Sequence, residues 1–212
     1  NIKVTCDKNS ITEIIMPNNN LNVSSPTDAY NMNRALINFT NLETLDLSYN
    51  MLGSFLGPTS SPSKPDIQTY GLPAFKATSA MQTPINVLGI SGGKLKKLNL
   101  SNNMYNGPSA NMYNLPSNLN YLDLSNQYSD NILAPSQSQS EFFGITGTIP
   151  NIFSSVSYFN ISNNNLSGSI PDSLTKNTNL GKQGSEFNLK SNNFSKISPA
   201  SSPSSKKFYF VA

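Results

Sequence analysis

Leu42-Glu-Thr-Leu-Asp-Leu-Ser-Tyr-Asn50 is the stretch that decides the fold. Apolar side chains stand at its first, fourth and sixth positions, and an asparagine closes it at the ninth. The Leu-x-Leu alternation has the period of a β-strand and puts its apolar residues on one face. The same wording returns at Leu95–Asn103, Leu119–Gln127 and Val156–Asn164. Ile11–Asn19 keeps every slot with conservative swaps, and Gly184–Asn192 keeps all but the first. One such strand cannot bury its own apolar face, so the copies must stack. Each leucine buried this way stabilises the stack by roughly 1.5–3 kcal/mol.

This spacing is similar to that of the leucine-rich repeat. The fold expected is an α/β repeat, a solenoid with a parallel β-sheet on its concave face. Irregular loops and short 3-10 or helical turns should form the convex side. Position nine must turn the chain out of the strand, and a carboxamide there can bond the backbone of neighbouring coils. Asn19, Asn50, Asn103, Asn164 and Asn192 are expected to form that asparagine ladder, with Gln127 in the slot of the Leu119 copy.

The first slots fall at residues 11, 42, 95, 119, 156 and 184, so the intervals are uneven. The widest, between 42 and 95, suggests a degenerate repeat within residues 67–90, where Ile67-x-x-Tyr70-x-Leu72 is a poor match. The chain divides into residues 1–10 as the remnant of an N-terminal cap strand and 11–200 as the solenoid. Insertions rich in Ser, Pro and Gln fall near 53–90 and 127–143, and 201–212 forms a C-terminal cap strand or assembly segment.

Two strings, Ile145-Thr-Gly-Thr-Ile-Pro-Asn151 and Leu166-Ser-Gly-Ser-Ile-Pro-Asp172, carry a narrower likeness. They resemble the LxGxIP tail of plant-type, extracellular leucine-rich repeats, found in receptor-kinase ectodomains and polygalacturonase-inhibiting proteins. Glycine permits the sharp bend, and proline fixes the backbone while removing a donor. Val4-Thr-Cys-Asp7 also resembles the end of that family's N-terminal cap, whose cysteine is normally disulfide-paired. Cys6 is the only cysteine of the chain, so it has no internal partner and is read as a buried thiol or an intermolecular one. The resemblance implies a secreted or cell-surface location.

With no histidine in the chain, Ser-His-Asp and Cys-His catalysis and Cys/His metal sites are excluded. Glu43, Asp46 and Asp123 could in principle supply the carboxylate pair of a glycoside hydrolase, yet acids on a solvated strand face are ordinary. The expectation is a non-enzyme with no catalytic residue, no metal and no cofactor. A net charge of +3 gives no reason to expect nucleic acid. No apolar run reaches the roughly 18 residues of a spanning helix, so no direct membrane insertion is expected. Asn1 reads as a processed or trimmed end.

Binding is therefore placed on the concave sheet. Position three reads Glu13, Thr44, Lys97, Tyr121, Tyr158 and Glu186; position five reads Ile15, Asp46, Asn99, Asp123, Asn160 and Asn188. Position eight reads Asn18, Tyr49, Asn102, Asn126, Asn163 and Ser191. The candidate binding residues are Asp46, Tyr49, Lys97, Asn99, Tyr121, Asp123, Tyr158 and Asn160, with Tyr121 and Tyr158 as neighbours in adjacent coils. Tyrosine offers contact area with a hydrogen-bonding tip.

N-x-S/T sequons occur at Asn22, Asn38, Asn99, Asn160, Asn165 and Asn193. Asn99 and Asn160 would project from the concave face, whereas Asn22 and Asn38 lie in looser sequence and are the better glycan candidates. The function expected is recognition of a protein or glycan ligand. A structural subunit of a surface assembly, self-associating through its ends, is the alternative, and ice binding ranks below both.

Overall fold

The computed structural model describes residues 2–21, 32, 35–36, 38–52, 55–56, 67–68, 93–103, 105, 107–108, 112, 115–127 and 144–196. Each cassette contributes one short strand. The strands are β1 (Lys3–Asp7), β2 (Ser10–Ile15), β3 (Thr44–Asp46), β4 (Phe55–Leu56), β5 (Ile67–Gln68), β6 (Lys97–Asn99) and β7 (Gly107–Pro108). They continue with β8 (Tyr121–Asp123), β9 (Ile145–Gly147), β10 (Tyr158–Asn160), β11 (Asn165–Ser169), β12 (Glu186–Asn188) and β13 (Asn193–Lys196). A single turn of helix, α1 (Asp172–Thr175), follows β11.

The cassette strands assemble into one sheet of order β1-β2-β3-β6-β8-β10-β12, parallel except for the β1–β2 hairpin. Register is uniform: Glu13, Thr44, Lys97, Tyr121, Tyr158 and Glu186 are successive partners across the sheet. Behind it, position four is filled by Leu45, Leu98, Leu122 and Phe159, none of which has any exposed surface. Leu47, Leu100, Leu124 and Ile161 at position six are as deeply buried. Phe153 and Phe187 flank Phe159 at ring-centroid distances of 5.1 and 6.0 Å, so aromatic packing takes over from leucine in the last coils.

The position-nine carboxamides tie the coils together with a repeating pattern. Asn103 donates through Nδ2 to the Leu47 carbonyl of the preceding coil (2.9 Å) and to Leu100 of its own (3.0 Å). Its Oδ1 accepts the Leu52 N–H at 3.0 Å. Asn50 repeats this with Met16, Leu47 and the Leu21 N–H, and Asn192 with Ile161, Leu189 and the Leu166 N–H. Gln127, one methylene longer, still reaches the Leu100 carbonyl at 2.7 Å and the Tyr105 N–H at 3.2 Å. Asn19, in the first coil, bonds through its side chain only to the nearby Pro17 carbonyl, 2.7 Å away. Buried backbone groups left without partners cost free energy, so the amides supply what the coil geometry leaves open.

The ladder also shows where inserted sequence sits. In most coils the accepted N–H lies two residues past position nine; for Asn164 it is Ile145, which stands well beyond Gln127 yet is held at 2.9 Å. The residues between, 128–143, lie outside the described residues, and the register on either side of them is unbroken. The expected degenerate repeat within 67–90 is corrected by the same pairing logic. β3 pairs directly with β6 (Thr44 with Lys97), leaving no place between them for another strand. Ile67–Gln68 instead pairs antiparallel with Phe55–Leu56, away from the main sheet.

A second parallel sheet, order β13-β11-β9-β7, runs along the solenoid after the ladder turn. Its two middle strands, β9 and β11, lie in the LxGxIP tails, and β7 and β13 come from the partial copies of that tail in their own coils. Gly147 and Gly168 have φ of +90° and +81°, which side-chain-bearing residues rarely adopt, and a Cβ on Gly168 would lie 2.8 Å from Cγ2 of Thr148. On the same flank, buried Asn177 acts as another carboxamide strut. It donates to the Phe153 and Val156 carbonyls (3.1 and 2.8 Å) and accepts the Asn179 N–H at 2.7 Å.

Two places in the core are less complete. Tyr105 occupies position eleven of its coil with no exposed surface, and its hydroxyl has no hydrogen-bond partner. At the N-terminal end, Val4, Ile11, Ile14, Met16, Leu36 and Phe39 line an apolar cleft of about 460 Å³. Cys6 is a free thiol on the exposed strand β1 rather than a buried one, because β1 has a partner on one side only.

The ladder predicts an asymmetric mutational response. Asn103→Ala leaves the buried Leu52 N–H without its acceptor and takes one of two carboxamide donors from the Leu47 and Leu100 carbonyls, which keep Asn50 and Gln127, and should cost about 1–3 kcal/mol. Asn19→Ala should cost under about 1 kcal/mol. Urea unfolding midpoints compare the two directly.

Candidate functional site

Positions three and five form two parallel rows along the middle of the concave sheet. In the first row Tyr121 and Tyr158 are stacked, with ring centroids 4.0 Å apart and planes within 10°. Strand spacing of about 4.8 Å dictates this: rings at one register position of adjacent parallel strands can only stand face to face. Lys97 closes the other face of Tyr121, its Nζ 4.6 Å from the ring centroid, in cation–π geometry. The result is a three-member stack, Lys97–Tyr121–Tyr158, in which both faces of Tyr121 and one face of Tyr158 are occupied from within.

Removal from water raises both phenol pKa values, and for Tyr158 the adjacent Asp123 carboxylate adds to the effect. Both hydroxyls therefore stay protonated at physiological pH. Tyr158 also donates to Oδ2 of Asp123 at 3.3 Å.

The second row is built by a local turn. Asp46 Oδ1 accepts both the backbone N–H and the hydroxyl of Ser48, at 3.1 and 2.7 Å. Asn99 does the same with Ser101, Asp123 with Ser125 and Asn160 with Ser162. The repeated word Asp/Asn-Leu/Ile-Ser thus closes each strand through its own side chains, as an Asx turn. Sideways, Asn99 donates to Asp46 Oδ2 at 3.1 Å and Asn160 reaches Asp123 Oδ2 at 3.5 Å. Asp123 is only 7% exposed. Asp46, Asn99, Asp123 and Asn160 are hence the floor of the surface, with much of their bonding capacity already used.

Charges flank the rows. Lys96 pairs with Glu43 at 2.8 Å, and Lys3 with Glu13 at 2.7 Å. Hydrogen bonds from Lys3 and Thr5 hold the Glu13 carboxyl below the usual carboxylate range. Among the described residues, no three His, Cys, Asp or Glu side chains converge as a metal site.

Position eight does something the sequence reading did not foresee. Asn18, Tyr49, Asn102, Asn126, Asn163 and Ser191 all have φ between 53° and 55°. Each coil leaves the strand through a left-handed residue, and asparagine tolerates that conformation better than most. The asparagine column thus follows from backbone geometry. Tyr49 lies five positions further along its coil than the stack, with one strand between its coil and that of Tyr121, so it does not join the other two tyrosines. It is 61% exposed. The position-seven serines were likewise missed, although their recurrence after Asp or Asn was a readable signal.

With this geometry in hand, comparison with known proteins places the fold. The Leucine Rich Repeat family model matches residues 41–62 and 155–177. Among solved structures, the chain is similar to the leucine-rich-repeat ectodomain of the Arabidopsis receptor kinase HAESA. One of those structures is a complex with the peptide hormone IDA and the co-receptor SERK1; the other holds an N-terminally extended IDA peptide. The TM-scores are 0.52 and 0.53, each at 23% identity and covering 91% of this chain and 24% of the other. The chain therefore spans about a quarter of the length of those ectodomains. The Arabidopsis receptor kinase GASSHO1/SCHENGEN3 gives a TM-score of 0.48 at 20% identity, covering 86% of this chain and 15% of that one. No curated protein sequence matches the chain. The fold is a leucine-rich-repeat solenoid like that of plant receptor-kinase ectodomains.

Because Tyr49 spends backbone strain that asparagine would not, Tyr49→Asn should stabilise the protein by about 0.5–1 kcal/mol. Thermal unfolding should show a midpoint about 1–4 °C higher.

Proposed function

We propose that this chain is a non-catalytic recognition module of an extracellular or cell-surface protein, and that its concave sheet binds a protein ligand as an extended peptide segment. The observation that carries this is the Lys97–Tyr121–Tyr158 stack. Sugar rings bind aromatics by laying C–H groups on open ring faces, and here both faces of Tyr121 and one face of Tyr158 are covered, by the other ring and by the Lys97 ammonium. The stack exposes instead hydroxyl-bearing ring edges and an ammonium group, which suit backbone carbonyls and carboxylates of a peptide. Rigid, partly desolvated tyrosines beside a satisfied polar floor are the usual anchors of protein interfaces.

The HAESA ectodomain, which shares the fold, is solved in complex with a peptide hormone. A ligand of that chemical class is extended here to this chain. Among the described residues no helix is long and apolar enough to cross a membrane.

Selection of a linear peptide library on the immobilised chain, beside a glycan array, tests the reading. Selected peptides should lose at least about tenfold in affinity, near 1.4 kcal/mol, with the Tyr121→Ala/Tyr158→Ala variant. Tyr121→Phe/Tyr158→Phe, which keeps the stack and removes the hydroxyls, should lose less. Peptides that bind both variants like the parent protein, or glycan binding that requires the two tyrosines, would overturn it.

A further inference from the structure

Asn22 lies outside the described residues, and the other five sequons divide into two structural kinds. In Asn99-Leu-Ser101 and Asn160-Ile-Ser162 both polar residues lie on the concave side, and the serine hydroxyl bonds the asparagine's own Oδ1 at 2.9 and 2.8 Å. Ser101 and Ser162 are 4% and 5% exposed. The amide nitrogens point sideways to Asp46 and Asp123 on the neighbouring strands. Asn165 is half-buried in β11, and the Ser167 hydroxyl turns to the Gly147 carbonyl at 3.4 Å. In these three the sequon wording is a by-product of how a coil closes.

Asn38-Phe-Thr40 and Asn193-Phe-Ser195 are built the other way round. In each, the middle phenylalanine packs against the core, and the asparagine and its hydroxyl partner are exposed. Phe39 works as an anchor that turns Asn38 and Thr40 outward, and Phe194 does the same for Asn193 and Ser195. Asn38 sits in a turn, its N–H on the Ala35 carbonyl at 3.2 Å, in the segment between the first two cassettes. Asn193 opens β13, the last strand of the second sheet. Neither lies in the concave sheet.

We propose that this protein carries N-linked oligosaccharide on Asn38 and Asn193, and none on Asn99, Asn160 or Asn165. The inference rests on the extracellular reading, since the modification belongs to the secretory pathway. In the transfer, the asparagine Nδ2 forms a bond to the anomeric carbon of a lipid-diphosphate-linked oligosaccharide. The bond from that carbon to the diphosphate oxygen breaks, the lipid diphosphate leaves with the electron pair, and one amide proton is released. Folding then has to accommodate a large solvated group at Nδ2, which the two outward sites do without disturbing a strand. Both glycans would decorate other faces and leave the tyrosine stack bare, as peptide binding there requires.

The test is to secrete the full chain from insect cells behind a cleavable leader. Monomeric, folded protein is then treated with peptide-N-glycosidase in heavy-oxygen water and mapped by mass spectrometry. Isotope-tagged aspartate is expected at positions 38 and 193, with untouched asparagine at 99, 160 and 165. Asn38→Gln and Asn193→Gln should each remove one glycan's mass while the protein stays folded. A tag at 99 or 160 in the folded monomer, or no tag at either 38 or 193, would overturn the proposal. The added leader forces entry to the pathway, so this readout concerns the sites alone. Protein from its native source that lacks glycan, while the secreted chain carries both, would overturn the extracellular reading instead.

Discussion

A carboxamide at position nine, bonded to two coils at once, is the interaction on which the rest of this molecule depends. The coils are short and uneven, and their strands contribute only three residues each to the main sheet between β3 and β12. Leucines at positions four and six drive burial, but hydrophobic contact is not directional and would tolerate slippage. Nδ2 spans the carbonyls of its own and the preceding coil while Oδ1 takes an N–H from the coil before. Together these bonds fix the rise, the register and the exit direction. That constraint holds where the side chain is glutamine, at Gln127, and where extra sequence intervenes before Ile145.

Uniform register has a direct functional consequence. It places Lys97, Tyr121 and Tyr158 on one row and forces the rings into contact, whereas the Asx turns hold a row of Asp and Asn beneath. A surface that is rigid because its parts bond each other loses little entropy when a ligand arrives.

Much of this was legible in the sequence, and the reasons for the exceptions are physical. Period-two apolar spacing and the recurring asparagine revealed the strands, the sheet and the ladder, since each depends on local wording. The adjacency of Tyr121 and Tyr158 followed once both fell at position three. The second sheet was hidden because its strands carry no alternation of their own; they are the LxGxIP tails and their partial copies, held by pairing to one another. Position eight misled because a left-handed backbone and a recognition surface both favour asparagine, and only the φ values separate them. The degenerate repeat expected within 67–90 failed because interval length cannot distinguish a missing coil from an insertion. Direct pairing of β3 with β6 can.

Native-state hydrogen exchange followed by NMR tests the ladder most directly. The amides of Leu52, Tyr105, Ile145 and Leu166 each donate to a position-nine carboxamide, with donor–acceptor distances of 2.9–3.2 Å. They should exchange only through global unfolding, with protection equal to that of the buried strand amides. Exchange at the rate of exposed loops, while the strand amides stay protected, would mean that the carboxamides do not hold the coils together.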